Sequence, residues 1–116
     1  MLSNTLELTL RKALDIAASY KHEYATYEHL LLALMDDEDV KLVLIEKGIN
    51  PRTISKKLSA YLNNYLGELV NENIKEPKPT AGFQRIVQRA VLHSQTNGQK
   101  TITGVNVLAE FFFENN

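Results

Sequence analysis

Any acid–base or metal chemistry in this chain has to run through three histidines and scattered carboxylates, because there is no cysteine. Two of the histidines fall close together, in His22-Glu23 and Glu28-His29. The zinc-protease spacing His-Glu-x-x-His is not met, since position 26 is threonine. The stretch from His22 to His29 spans a turn and a helix start, so the two imidazoles need not converge. His29 reads as a partly buried, hydrogen-bonded structural residue. His22 reads as an exposed loop residue, with a surface zinc ligand as the sharper alternative. His93 lies beside the core stripe of a later helix and reads as structural or surface-lining. The acidic run Asp36-Asp37-Glu38-Asp39 lacks the glycine and the distal glutamate of a calcium loop, so it is expected to cap a helix and stay solvated. No metal site and no cofactor is expected.

Neither a phosphate-binding Gly-x-x-x-x-Gly-Lys-Ser/Thr loop nor a Gly-x-Gly-x-x-Gly fingerprint occurs. The serines sit on polar helix faces with no plausible base beside them. No catalytic residue is expected. Arg85 and Arg89 stand one turn apart on a polar helix face, with Gln84 and Gln88 beside them. They form either a solvated face or a docking strip for a protein, in whose interfaces arginine is favoured.

The elements that must position these residues are all helical. Ser3 or Asn4 can cap a first helix, along which Leu6, Leu10, Ala13, Leu14 and Ala17 recur at three- and four-residue steps as far as about Tyr20. Thr26 caps a second, with Glu28 in the first turn, where negative charge suits the helix dipole. Its run Leu30 to Met35 is apolar on nearly every side and belongs in the middle of a bundle. The acidic cluster starts a third helix carrying Val40, Val43 and Leu44, closed by a left-handed Gly48. Asn50-Pro51 starts a fourth, with a stripe of Ile54, Leu58, Tyr61, Leu62 and Tyr65, closed near Gly67. Residues 68–79 read as a surface linker extended around its prolines. Thr80 caps a fifth helix with Phe83, Ile86, Val87, Ala90 and Val91 on its core face, ending at Gly98. Thr103 caps a sixth, from Gly104 to about Phe113.

A length of 116 residues suits one domain. With 44% hydrophobic and 23% charged residues the chain can bury a core of its own. A net charge of -1 argues against nucleic acid or an anionic membrane surface as partner. No signal peptide and no spanning segment is apparent. The lack of cysteine fits a cytoplasmic location.

Two stretches also match each other at a constant shift of 77 positions. Phe83 falls on Leu6, Val87 on Leu10, Ala90 on Ala13, Thr103 on Thr26 and Leu108 on Leu31. Two helical hairpins of one design explain this. Repeat one is expected over 1–67 and a partial repeat two over 80–116, because the third and fourth helices have no counterpart after Asn116. With Phe111-Phe112-Phe113 near the end, the chain is expected to be a piece of a longer protein.

Thr26-Tyr27-Glu28-His29-Leu30-Leu31-Leu32-Ala33-Leu34 resembles the signature of the Clp N-terminal domain, carried by ring-forming AAA+ unfoldases. Thr103-Gly104-Val105-Asn106-Val107-Leu108 resembles its degenerate second motif. Met1-Leu2, Leu6-Glu7-Leu8, His22-Glu23-Tyr24 and the string Phe83 to Val91 are similar to the ClpA-type branch more than to the ClpB or ClpC types. The resemblance covers nearly the whole chain. It implies an all-α domain of duplicated four-helix repeats, related by a pseudo-twofold and truncated here in the second repeat. It also implies a non-catalytic docking role. The domain would bind a ClpS-type adaptor and protein substrates, and would reach the ClpP peptidase only through the ATPase modules of its parent. The isolated domain is expected to be monomeric. Glu23 and Glu28 match acidic positions of the family's adaptor-facing surface, and Thr80, Gln84, Arg85 and Gln88 are the next candidates. ClpC relatives read phosphoarginine with an acidic residue in both motif copies; here the shifted equivalent of Glu28 is Val105, which departs from that pattern. Asn63 and Asn64 are likewise poor ligands for an imported zinc site. A ClpC- or ClpB-type domain, and a metal-dependent hydrolase built on His22, Glu28 and His29, are the alternatives.

Overall fold

In the computed structural model, residues 1–65, 71–73 and 76–114 are described, with the side chains of Tyr65 and Glu114 left aside. The expected close of the fourth helix at Gly67 lies outside the described residues.

Ser3 starts α1 (Asn4–Ser19), its hydroxyl accepting from the Leu6 N–H at 3.0 Å. The helix buries Leu6, Thr9, Ala13 and Ala17, one stripe at helical spacing. The two alanines leave room for α2 (Tyr27–Leu34), which buries His29, Leu30, Ala33 and Leu34 and touches α1 along its length. Asp37 caps α3 (Glu38–Glu46), accepting from the Asp39 and Val40 N–H groups, and Gly48 closes it at φ +78°. Asn50 accepts from the Arg52 N–H at 2.9 Å and begins α4 (Pro51–Tyr65). Thr80 caps α5 (Ala81–Thr96), which buries Phe83, Ile86, Ala90 and Ser94. α6 (Gly104–Glu114) packs on α5 and also reaches α1, α2 and α3. One core joins Leu6, Leu30, Leu34, Met35, Ile86 and Val107, each fully or almost fully buried. Each such side chain contributes about 1.5–3 kcal/mol against leaving it in water.

The fold is therefore helical, as expected, and of the expected 68–79 linker the described residues 71–73 and 76–79 are tied to the turn after α1. Lys78–Pro79 (β2) pairs in parallel with Tyr24–Ala25 (β1), and Pro77 is buried. Upstream, the Asn71 N–H donates to the Lys21 carbonyl at 2.7 Å and Lys21 Nζ meets Glu72 at 2.6 Å. These two-residue strands form no layer of their own; they satisfy backbone groups where the chain passes between helices.

Hydrogen bonds recur at the same 77-residue spacing. Ser3 N–H donates to Ile102 O at 2.9 Å, and Thr80 N–H to Ala25 O at 3.0 Å. The Met1 amino group donates to Lys100 O at 3.3 Å, and Lys78 N–H to Glu23 O at 3.0 Å. His22 N–H closes α1 on Ala17 O, and Gln99 N–H closes α5 on Ser94 O. Lys21 and Gly98 hold the same left-handed position, at φ 59° and 72°. In the cross-links, the segment leading into α1 bonds the turn before α6, while the segment leading into α5 bonds the turn before α2.

Candidate functional site

The loop after α1 is pinned from below by a histidine pair. His22 is 1% exposed and His29 is fully buried, so the expectation of an exposed His22 is corrected. Its ring stacks on Tyr20 at 5.3 Å and meets the edge of His29 at 5.1 Å. Neither contact follows from the polarity of its sequence neighbours. His29 is the structural residue expected of it. Its Nδ1 accepts from the Thr26 N–H at 2.9 Å, so its proton sits on Nε2, which donates to His22 Nδ1 at 2.9 Å. Burial first, and the neighbouring His22 second, pull the His29 pKa down to about 4. Burial also lowers that of His22. The two rings turn their nitrogens toward each other, and Glu28 opens onto a separate groove. Among the described residues no three histidines or carboxylates cluster to hold a metal.

Above this pair lies the strip that carries the first acidic candidate. Glu23 is half-buried; its backbone carbonyl binds Lys78 and its Oε1 accepts from the Asn71 side chain at 3.4 Å. Two residues on, Ala25 O receives Thr80 N–H, so Glu23 leads into β1 while Thr80 follows β2, at opposite ends of the short parallel ladder. Thr80 is occupied as a cap, its hydroxyl accepting from Phe83 N–H at 3.2 Å. Its contribution to a surface is therefore positional.

Glu28 sits in the first turn of α2 and opens on a groove of about 350 Å³ against α4, lined by Ile54, Lys57, Leu58 and Tyr61. Its carboxylate is the main reason the Tyr61 hydroxyl pKa is raised, followed by burial and by Tyr27. Tyr27 then links this acidic patch to α5. Its ring would lie 3.2 Å from a Cβ placed on Gly82, a position also within 3.8 Å of Arg85, and it meets Phe111 edge-on at 6.2 Å. Tyr27, read from the sequence only as part of the family signature, and Tyr61, read only as part of an apolar stripe, are not among the candidate site residues. Their signal was the aromatic type next to Glu28 and on the α4 stripe, which helical periodicity alone assigns to core.

The α5 candidates divide. Arg85 lies on the Tyr27 side, whereas Gln84 and Gln88 line a shallow apolar groove of about 210 Å³ with Leu10, Pro79, Phe83 and Val87. Gln84 Nε2 donates to Pro79 O at 3.1 Å. So Glu23 and Thr80 flank the β1–β2 pairing at its two ends, Glu28 and Arg85 both adjoin Tyr27, and the two glutamines belong to a neighbouring face. His93, half-exposed, bonds the buried Glu110 at 2.5 Å and takes no part in either face. What the arrangement offers is an acidic and aromatic surface beside an apolar groove.

The family model for the Clp repeat (R) N-terminal domain matches residues 1–116. A ClpA homolog protein of Fuscovulum blasticum is 41% identical over 113 residues, covering 97% of this chain and 14% of that protein. The chaperone protein ClpB of Chlamydia pneumoniae is 32% identical over 115 residues, covering 97% of this chain and 13% of its own length. That of Chlamydia caviae is 28% identical over 116 residues, with 98% and 13% covered. The chain thus spans about one seventh of the length of these relatives. On the match of the whole chain to that model and on the helices and capping residues that realise it, the chain belongs to the Clp repeat (R) N-terminal domain family.

Proposed function

We propose that the chain is the adaptor- and substrate-docking N-terminal domain of a ClpA-type ATP-dependent unfoldase, built as two copies of one helical unit. In this reading it binds a ClpS-type adaptor through the surface around Glu23, Glu28, Thr80 and Arg85, and it makes or breaks no bond itself. Cargo held here gains a high local concentration near the ATPase modules, which would pass it to ClpP in the cytoplasm. The observation that carries the reading is the strip along the β1–β2 pairing, with Glu23 leading into it, Thr80 following it, and Tyr27, beside Arg85, and Glu28 on the helix that comes next. The 41% identity to a ClpA homolog supports the branch. The 32% identity to a ClpB chaperone favours a second reading, a domain that engages unfolded clients directly.

Titration of the chain with a ClpS-type adaptor is the test. A one-to-one complex is expected, and the double variant Glu23→Lys, Glu28→Lys should weaken it by about tenfold or more while helicity is kept. An unchanged affinity in the double variant would place the adaptor elsewhere. No complex at high micromolar concentration would favour the ClpB-type reading.

A further inference from the structure

One cavity among the described residues is lined by none of the candidate site residues. It is a groove of about 550 Å³ bounded by α1, α2, α3 and α4. Ile16, Leu32, Met35 and Ile45 supply its apolar surface. Ile45 is 63% exposed, and Leu42, one turn before it, is exposed as well, so the apolar strip runs out of the groove along α3; Ile49, past the left-handed Gly48, is also exposed. Leu42 and Ile45, exposed three residues apart on α3, form an apolar face that a purely solvated helix does not need.

The rim gives the groove a sign. Lys12, Lys41 and Arg52 line it, against one carboxylate, Asp36. Asp36 is bonded by Lys12 and lies 4.0 Å from Lys41, so that carboxylate is already matched by two cations. Among the described residues Arg52 makes no ion pair, and the hydroxyls of Ser55 and Ser59 follow it along α4. A cationic rim around an apolar floor complements a segment that presents an apolar side chain flanked by carboxylates; a basic segment would be repelled.

We propose that this groove is a second docking site, which takes an acidic, amphipathic segment of a partner protein. The proposal shares with the adaptor reading only the premise that the domain docks other proteins; it uses none of the same residues. The probe is a fluorescein-labelled amphipathic peptide of leucine and glutamate, followed by anisotropy on the 116-residue chain, with a leucine–lysine peptide as its counterpart. Saturable binding of the acidic peptide is expected, with amide shifts at Leu32, Met35 and Ile45 in nuclear magnetic resonance spectra. Arg52→Glu should weaken it about tenfold, and high salt should do the same. Ile45→Ser should weaken it comparably. Both side chains are solvent-exposed, so both variants should fold, which circular dichroism checks. Equal binding of the two peptides, indifference to both substitutions, shifts centred on Leu10 and Phe83, or no saturation would each overturn the proposal. The adaptor is titrated alongside: if it binds while the acidic peptide does not, only the groove is refuted, and if neither binds, the docking reading falls with it.

Discussion

Replacing Gly104 by alanine tests whether α6 is seated by its contact with a single carboxylate. Gly104 is the first residue of α6, and alanine is ordinarily the better helix former by up to about 1 kcal/mol. Here an added Cβ would lie 2.5 Å from Asp37 Oδ2, 2.7 Å from its Cγ and 2.9 Å from its Oδ1. Asp37 is 2% exposed and has no slack. Its Oδ1 caps α3 through Asp39 and Val40, and its Oδ2 accepts from the Thr9 hydroxyl at 2.7 Å. Making room therefore strains or breaks a cap worth about 1 kcal/mol and a charge-assisted bond worth about 1.5–3 kcal/mol. After the propensity gain, Gly104→Ala should destabilise by about 2 kcal/mol. For a domain of this size that lowers the melting temperature by roughly 8 °C. Urea and thermal unfolding followed by far-ultraviolet circular dichroism measure it. The companion variant Asp37→Ser keeps a shorter cap and frees the space, so in that background Gly104→Ala should lose most of its cost, a coupling of about 1 kcal/mol or more. A Gly104→Ala protein as stable as its parent, or a cost unchanged in the Asp37→Ser background, would refute the reasoning.

Three further outcomes follow from the same geometry. The His29 pKa is depressed from 6.5 to about 4, so the unfolded chain binds the extra proton first; stability is complete above pH 6.5 and falls by roughly 3 kcal/mol as the pH drops toward 4. Replacing His29 with asparagine, which keeps an acceptor for Thr26, should flatten that part of a urea-midpoint profile, and a profile of unchanged slope would remove the buried pair as its cause. Gly98→Ala should cost about 1 kcal/mol at φ 72°, while Lys21→Gly, at the equivalent turn with φ 59°, should cost nothing measurable in thermal melts; a larger loss for Lys21→Gly would show that its strain is not backbone strain. Ile86→Ala, at a fully buried position, should cost about 2–5 kcal/mol in urea unfolding, and less than about 1 kcal/mol would mean the core is not closed there.

Helix starts were the most legible feature of this chain, because a cap is a local device. Ser3, Thr26, Asn50, Thr80 and the acidic cluster all stand at the starts read from their side chains, and Gly48 and Gly98 hold the positive φ that ends a helix. Burial of polar residues was not legible. His22 looks like a loop residue until Tyr20 stacks on it and the chain at Asn71 crosses the adjoining turn. Asp37 reads as one of four solvated acids, yet it is buried against α6 and bonds Thr9. Glu110 lies buried on the core side of α6 with one oxygen lacking a hydrogen-bond partner among the described residues, and nothing in its neighbours marks it out. Of the candidate site, the acidic and polar residues are legible in the sequence, but the roles of Tyr27, which links Glu28 to Arg85, and of Tyr61, which faces Glu28 from α4, are not.

By itself the sequence determined the number, order and apolar faces of the helices, since capping and three- to four-residue periodicity act within a few residues of chain. It also determined the family, through ordered motifs that run the length of the chain. Only the tertiary structure decided which faces remain open. The pairing of Lys78–Pro79 with Tyr24–Ala25 joins residues more than fifty positions apart, and the groove beside Ile45 is lined by residues from all of the first four helices. Such features come from contacts between distant segments, where packing and the need to satisfy backbone groups, rather than any local preference, set the geometry.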